Sequence, residues 1–327
     1  MLLPNRSQGL AIGTCQLGGT AMDRRSFIKG TSIAAMLASW LPATSLLGMV
    51  GKAPYICILS KHLPWLNYRD MALLAAGIGF TGIDLTVRKG GHVLPENVKR
   101  DLPLAVKQIR DAGLEVPMIT TGITQADDPL TRDILETAGK LGIGKYRPGW
   151  YRYQEDVRVR DSIDHARKQL VRLQLINESN NIAASYQNHS GRYVGGSGWD
   201  LLEMIKDLDP RWTGVQFDIR HAVVEGPQTW PMVLEVLAPW INTVDIKDFT
   251  WDASDKSRVV SVPLGQGLVP LESFLKKLKY LEVREDFSIH YEYPLGGAEK
   301  GITDLSISRE AFTQQVGSDF RYLTSML

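Results

Sequence analysis

From residue 53 onward, short runs of apolar and β-branched residues alternate with longer segments whose apolar positions recur at helical spacing. The runs predict strands at residues 55–60, 82–87, 116–120, 143–147, 182–186, 214–218, 241–246 and 287–292. Between them, Met71, Leu74, Ala75 and Ile78 mark one helical stripe, and Leu104 and Ile109 leading into Ala112-Gly113 mark another. Asp101 with Pro103 opens a helix, and Gly79, Gly113 and Gly142 stand where helices need left-handed caps. Each interval leaves room for a loop, a helix and a return loop, which argues parallel strands joined by right-handed crossovers. Eight such units in this length of chain favour a closed (β/α)8 barrel over an open doubly wound sheet. No Gly/Ser-rich or Pro-rich linker, internal repeat or low-complexity tract interrupts the series, so residues 53–327 are expected to form one α/β domain.

Residues 1–52 carry a different pattern. Asp23-Arg24-Arg25-Ser26-Phe27-Ile28-Lys29 precedes a stretch, residues 30–48, that is apolar or small almost throughout and uncharged. Paired arginines before such a run read as a twin-arginine export signal, departing from the Ser/Thr-Arg-Arg-x-Phe-Leu-Lys pattern only at Asp23 and Ile28. The expected location is therefore the periplasm, or otherwise outside the cytoplasm, with the twin-arginine export machinery as a partner. A membrane anchor is the other reading, but the run is marginal for a span and Pro42 interrupts it. Met22 directly precedes the motif, so residues 1–21 read as an extension set by the choice of start codon.

Composition removes several function classes. With 37 basic against 36 acidic side chains the net charge is +1, which excludes a nucleic-acid binder that works through bulk positive charge. A hydrophobic share of 44% excludes a disordered or collagen-like chain. Only Cys15 and Cys57 are present, so neither a disulfide framework nor a cysteine-based zinc site can be built. The first strand runs into Ser60-Lys61-His62-Leu63-Pro64-Trp65 instead of a Gly-x-Gly-x-x-Gly turn, and the glycine-rich residues 191–198 lack the Lys-Ser/Thr ending of a phosphate loop.

In a barrel of this type the reacting groups belong at the carboxyl ends of the strands. His62, His92, His189, His221 and His290 all fall at the end of a predicted strand or in the loop after it; only His165 lies within a helix. The carboxylates Asp84, Asp218, Asp245, Asp248 and Glu292 repeat the bias, and Arg88, Arg147, Gln187, Asn188, Arg192 and Lys247 occupy equivalent ends. Such a mouth suits a divalent cation with oxygen and nitrogen ligands, manganese, magnesium, cobalt or zinc, and a polyhydroxylated substrate. Asp218 and Glu292 end otherwise apolar or neutral strands, where a lone buried carboxylate is costly without a cation, and they are the favoured ligands. Asp84 either meets substrate or caps the loop before Gly90-Gly91, and Asp248 reads as a cap of the turn or helix that follows it. His290 shares a face with Glu292 and either joins the site or lies deeper as a satisfied core histidine. Trp65, Trp150 and Trp251 either stack on a sugar ring or fill the rim.

Taken in order, Ser60-Lys61-His62-Leu63, Gly79-Phe80-Thr81-Gly82-Ile83-Asp84-Leu85, Asn188-His189-Ser190-Gly191, Phe217-Asp218-Ile219-Arg220-His221-Ala222, Ile246-Lys247-Asp248-Phe249 and Pro263-Leu264-Gly265-Gln266-Gly267 resemble the xylose isomerase-like TIM barrels. That family comprises sugar isomerases and epimerases, inosose dehydratases and, more remotely, endonuclease IV. The resemblance implies a metal held by a glutamate, an aspartate, a histidine and a glutamate on strands five to eight. The corresponding positions are Gln187, Asp218, Asp245 and Glu292, so two match and two depart. It also implies two glutamate bases in the epimerases, and an amide at Gln187 cannot take a proton. Glu292 is then the general base, with His189, His221 or Lys247 as acid partners or oxyanion stabilisers. His62, Asp84, Arg88, His92, Arg147, Asn188, Arg192, Trp65 and Trp251 are the expected substrate contacts.

The resulting expectation is a metal-dependent isomerase or epimerase that abstracts a proton beside the carbonyl of a free or oxidised sugar. A keto-sugar or inosose-type lyase or dehydratase is the alternative on the same fold, and a sugar-binding barrel without catalysis is the alternative outside enzymes. A three-metal nuclease needs more histidine ligands than this ring supplies. Self-association of the barrel into a homo-oligomer is left open.

Overall fold

The computed structural model describes residues 53–327. The expected export signal, the extension before it and Cys15 lie outside the described residues. The strands are β1 Ile56–Leu59, β2 Gly82–Val87, β3 Glu115–Thr121, β4 Lys145–Arg147, β5 Ala183–Gln187, β6 Thr213–Asp218, β7 Ile241–Ile246, β8 Asp248–Trp251, β9 Val259–Val262 and β10 Asp286–Ile289. All but β8 and β9 close into one barrel in the order β1-β10-β7-β6-β5-β4-β3-β2, every pair parallel. The helices are α1 Tyr68–Ile78, α2 Val98–Asp111, α3 Pro129–Lys140, α4 Val159–Ser179, α5 Trp199–Ile205, α6 Ile219–Glu225, α7 Trp230–Leu237, α8 Leu271–Tyr280 and α9 Arg309–Thr324. Among the described residues no helix is long and apolar enough to cross a membrane.

All eight predicted strands exist, with ends displaced by a residue or two in most; the eighth stops at Ile289, so His290 and Glu292 lie in the loop beyond it. The helix expected to open at Asp101 begins at Val98 and carries Pro103 in its interior. Its buried face runs through Leu102, Ala105, Val106 and Ile109, while Leu104 is exposed, because Leu104 falls on the opposite side of the 3.6-residue turn. Gly79 caps α1 at φ 119°, a left-handed angle that glycine adopts without the clash a Cβ introduces.

Alternation along the strands sorts the chain into two populations. Val215 and Phe217, Val244 and Ile246, and Phe287 and Ile289 are buried apolar residues on one side of the wall. The intervening residues are polar and equally buried: Gln216 and Asp218, Thr243 and Asp245, Ser288, Asp84 and Thr120. This second set faces the barrel axis, since Asp84 on β2 bonds Ser288 on β10 across β1, and Gln187 on β5 bonds Asp245 on β7 across β6. The interior is therefore a hydrogen-bonded network where many such barrels stack branched apolar side chains.

The β8–β9 hairpin is antiparallel and was not foreseen. It follows directly from Lys247. Asp248, expected to cap a turn, does so: its carboxylate accepts the backbone N–H of Phe249 at 2.8 Å and those of Gly265, Gly267 and Val269 at 3.0 Å. A Cβ on Gly267 would stand 2.2 Å from Asp248 Oδ1, so this approach requires glycine.

Asp319 on α9 is 3% exposed, and burial pushes its carboxyl up to about 7. The folded state thus keeps a proton that the unfolded chain, with an ordinary value of 3.8, releases. The stability this supplies is complete below the unfolded value and is lost as pH rises through the folded one. Asp319→Asn is expected to flatten that loss: between about pH 5 and pH 8 its melting temperature should fall less than that of the wild type. Thermal unfolding across the range measures this, and equal falls in the two proteins would refute the assignment.

Candidate active site

Register brings the polar residues into two tiers. In the lower tier Asp84 accepts Thr120 Oγ1 at 2.8 Å and Ser288 Oγ at 2.9 Å. Asp245 accepts Gln216 Nε2 at 2.6 Å and Gln187 Nε2. His290 Nε2 lies between the two carboxylates, 3.8 Å from Asp84 Oδ2 and 3.4 Å from Asp245 Oδ1. Burial pushes the Asp245 carboxyl up, against the opposing charge of His290.

The upper tier centres on Lys247. Its Nζ stands 3.0 Å from Asp218 Oδ2, 2.9 Å from Glu292 Oε1 and 3.0 Å from His221 Nε2. Burial works to discharge this ammonium, but Asp218 and Glu292 outweigh it and hold its pKa above the usual lysine value. Burial, then Lys247, keeps His221 well below the usual histidine value, so its neutral ring accepts from the ammonium. The other ring nitrogen, Nδ1, lies 2.8 Å from Ser190 Oγ. Burial also opposes the charge on Glu292, yet Lys247 and Arg220 prevail and hold its carboxyl far below the carboxylate range. The Glu292 side chain is 32% exposed; those of Lys247 and Asp218 are 3% and 0%.

A wall of rings extends from this centre. His189 packs on His221 with the rings tilted by 35° and centroids 3.9 Å apart, and Trp150 lies 4.9 Å from His189. Arg147 covers the Trp150 ring at 4.1 Å. Arg147 is 4% exposed, and its Nε and Nη1 have no hydrogen-bond partner. Burial, followed by the nearby Arg88 charge, lowers its pKa to about 10. Burial, followed by Lys247, pulls His189 down to about 4, so it is neutral at physiological pH. Its Nδ1–H donates to Ser190 O at 2.9 Å, which leaves Nε2 as the basic nitrogen.

Glu292, His221, His189, Lys247, Gln187, Asp218, Asp245 and Arg147 lie in one connected cluster, whereas several other residues expected at the site are placed elsewhere. His62 is fully buried with Nε2 accepting the Tyr291 N–H at 3.1 Å and Nδ1 3.3 Å from Ala298 O; it ties two loops together. His92 Nε2 is 3.0 Å from Leu63 O and braces the loop after β2. Asn188 donates to Asp218 O and accepts the Asp218 N–H, so its amide is spent fixing the β6 end. Asp84 neither meets the mouth nor caps the glycine loop, because Thr120 and Ser288 consume its oxygens below His290. Arg192 pairs with Glu155 on the surface at 2.8 Å. Trp65 packs edge-on against Phe312 of α9, and Trp251 packs against Phe249 in the hairpin. Arg88 remains half-buried near Arg147. Sequence reasoning gave no role to Arg220, whose Nη2 lies 4.0 Å from Glu292 Oε2, nor to Gln216. Gln216 stands two residues before Asp218, and the period-two alternation was sufficient to find it.

The profile of the xylose isomerase-like TIM barrel family matches residues 72–308. The chain belongs to that family. No curated protein matches it in sequence. Among solved structures it is similar to the probable 3-DHS dehydratase AsbF of Bacillus anthracis, at 16% identity and TM-score 0.60, over 83% of this chain and 98% of that one. It is similar to D-psicose 3-epimerase of Clostridium cellulolyticum H10, at 10% identity and TM-score 0.63, over 84% and 99%. It is also similar to the 3-keto-D-glucoside 4-epimerase YcjR of E. coli, at 13% identity and TM-score 0.59, over 79% and 94%. At these identities the likeness is one of fold.

The four positions at which this xylose isomerase-like chain was expected to hold a metal lie side by side, but their donor atoms are turned to one another and to Lys247. Gln187 lies between two carboxylates, and there its amide must present nitrogen, which donates to Asp218 Oδ2 at 2.8 Å and to Asp245 Oδ2. A carboxamide oxygen aimed at a cation from that position would abandon both bonds. Lys247 Nζ stands between Asp218 and Glu292 and pairs with both, so their facing oxygens are already engaged by a cation. Among the described residues no group of three or more His, Cys, Asp or Glu side chains is arranged to hold a metal.

Proposed function

We propose that the barrel mouth is the active centre of a carbohydrate-transforming enzyme in which Glu292 removes a proton from the carbon beside a carbonyl. One observation carries this reading: Asp84, Asp218 and Asp245 are sealed, whereas the Glu292 carboxylate, kept ionised by Lys247 and Arg220, is the acid group of the cluster open to solvent. As Glu292 takes the proton, the C–H electron pair forms the enediol double bond and negative charge moves to the carbonyl oxygen. Lys247 and Arg220 then lose a carboxylate charge as an oxyanion appears beside them, and their stabilisation passes from one to the other. His189, neutral with a free Nε2, moves hydroxyl protons. One open base favours isomerisation, or loss of water after enolisation, over a two-base epimerisation.

The chemistry of Arg147 favours an oxidised sugar. A buried guanidinium with two unpaired N–H groups is costly unless a ligand oxygen arrives, and a carboxylate meets that geometry. An exported protein, as residues 23–29 suggest, also fits an unphosphorylated substrate.

Incubation with neutral and carboxylate-bearing keto and aldo sugars in heavy water, followed by NMR, tests the reading. Deuterium is expected at the carbon beside the carbonyl. Its appearance with a sugar isomer assigns an isomerase or epimerase, and with loss of water a dehydratase. Binding of a sugar without any exchange overturns the catalytic reading in favour of a binding barrel.

A further inference from the structure

A protonated lysine carries three N–H groups, and Lys247 finds three acceptors: Asp218 Oδ2, Glu292 Oε1 and His221 Nε2, all at 2.9 to 3.0 Å. Nothing about this ammonium is left unsatisfied. The acceptors come from three elements, the end of β6, the first turn of α6 and the loop after β10, and they converge on one point at the mouth. A divalent ion at that point would need the same three atoms at close to 2 Å, and a second cation cannot share them with Nζ. Gln187 reinforces the arrangement. A carboxylate there would add a negative charge that one ammonium cannot balance, whereas the amide adds none and donates to Asp218 and Asp245.

We propose that Lys247 is the resident cation of this centre and takes the place of a divalent metal. It supplies one positive charge, delivered through directional N–H bonds, to hold Asp218 and Glu292 together and to meet the oxyanion. The centre is complete without an ion. The catalytic consequence rests on the function proposed above; the statement about the cation does not, and its readouts use no substrate.

Purified full-length protein is assayed for bound metal and for its melting temperature with and without a chelator, and with added Mn2+, Co2+ or Zn2+. The wild type is expected to hold far less than one equivalent of any of these ions, to ignore the chelator and to gain no stability from the ions. Lys247→Ala removes the ammonium and leaves Asp218, His221 and Glu292 as three vacant ligands. It is expected to melt lower, to take up about one equivalent of Mn2+ or Zn2+, and to recover its melting temperature when the ion is added. A wild type that carries about one tightly held equivalent, and melts lower once it is stripped, overturns the proposal. So does a folded Lys247→Ala protein indifferent to all three ions. Should that variant not fold, Lys247→Gln takes its place, and should neither fold, the wild-type measurement decides alone. Retained exchange activity in Glu292→Gln would sink the functional reading without touching this one.

Discussion

Glu292→Gln is expected to lower the rate of proton exchange beside the substrate carbonyl by about a hundred- to ten-thousand-fold, the range over which a positioned general base contributes. The substitution keeps the shape of the side chain and an oxygen that can still accept from Lys247 Nζ, now 2.9 Å from Glu292 Oε1. What it removes is the proton affinity. The loss should therefore fall on kcat with little change in KM, because the group acts in the transition state and not in holding the sugar. Single-turnover exchange in heavy water with wild type and variant measures it. Activity within a few-fold of the wild type would show that another group takes the proton, and His189 Nε2 would be the next to test. The pH profile offers a check: Glu292 is held ionised far below neutrality by Lys247 and Arg220, so its titration should not limit the rate near pH 7.

Arg147→Met is expected to weaken the KM for a carboxylate-bearing sugar by about ten- to a hundred-fold, the worth of a charge-assisted hydrogen bond made in a buried site. Neutral sugars should be affected far less, or bind better, since the unpaired guanidinium penalises any ligand that leaves Nε and Nη1 unmet. Methionine preserves much of the packing against Trp150, which Arg147 covers at 4.1 Å. The ratio of KM values for an acidic sugar and its neutral counterpart is the diagnostic quantity, because a loss of packing alone would move both together. An unchanged ratio would remove the argument for an oxidised substrate.

The architecture was legible in the chain because alternation at period two and at 3.6 survives in single sequences, and the eight strand positions follow from it. The hairpin after Lys247 escaped, since its two strands are four residues each and are joined by residues 252–258, all but the first exposed, instead of the two-residue turn that marks a tight hairpin. At the site, strand-end position located the right neighbourhood but not the direction in which each side chain spends its bonds. His62, His92 and Asn188 stand at strand ends and still serve the backbone, and no pattern in the sequence separates them from His189 and His221. Lys247 was expected as an acid partner or oxyanion stabiliser, but its pairing with Asp218, His221 and Glu292 was equally hidden. Its charge is visible at position 247, but its three acceptors come from parts of the chain up to 45 residues away. Asp218 and Glu292 were expected as ligands of a divalent metal; the cation the structure places between them is the Lys247 ammonium.

Asp248 links that lysine to the rest of the rim. Its backbone is continuous with Lys247, while its carboxylate clasps the amides of Gly265, Gly267 and Val269. The strand pair that rises from Lys247 is thereby pinned at its root on both sides and behaves as masonry instead of a door.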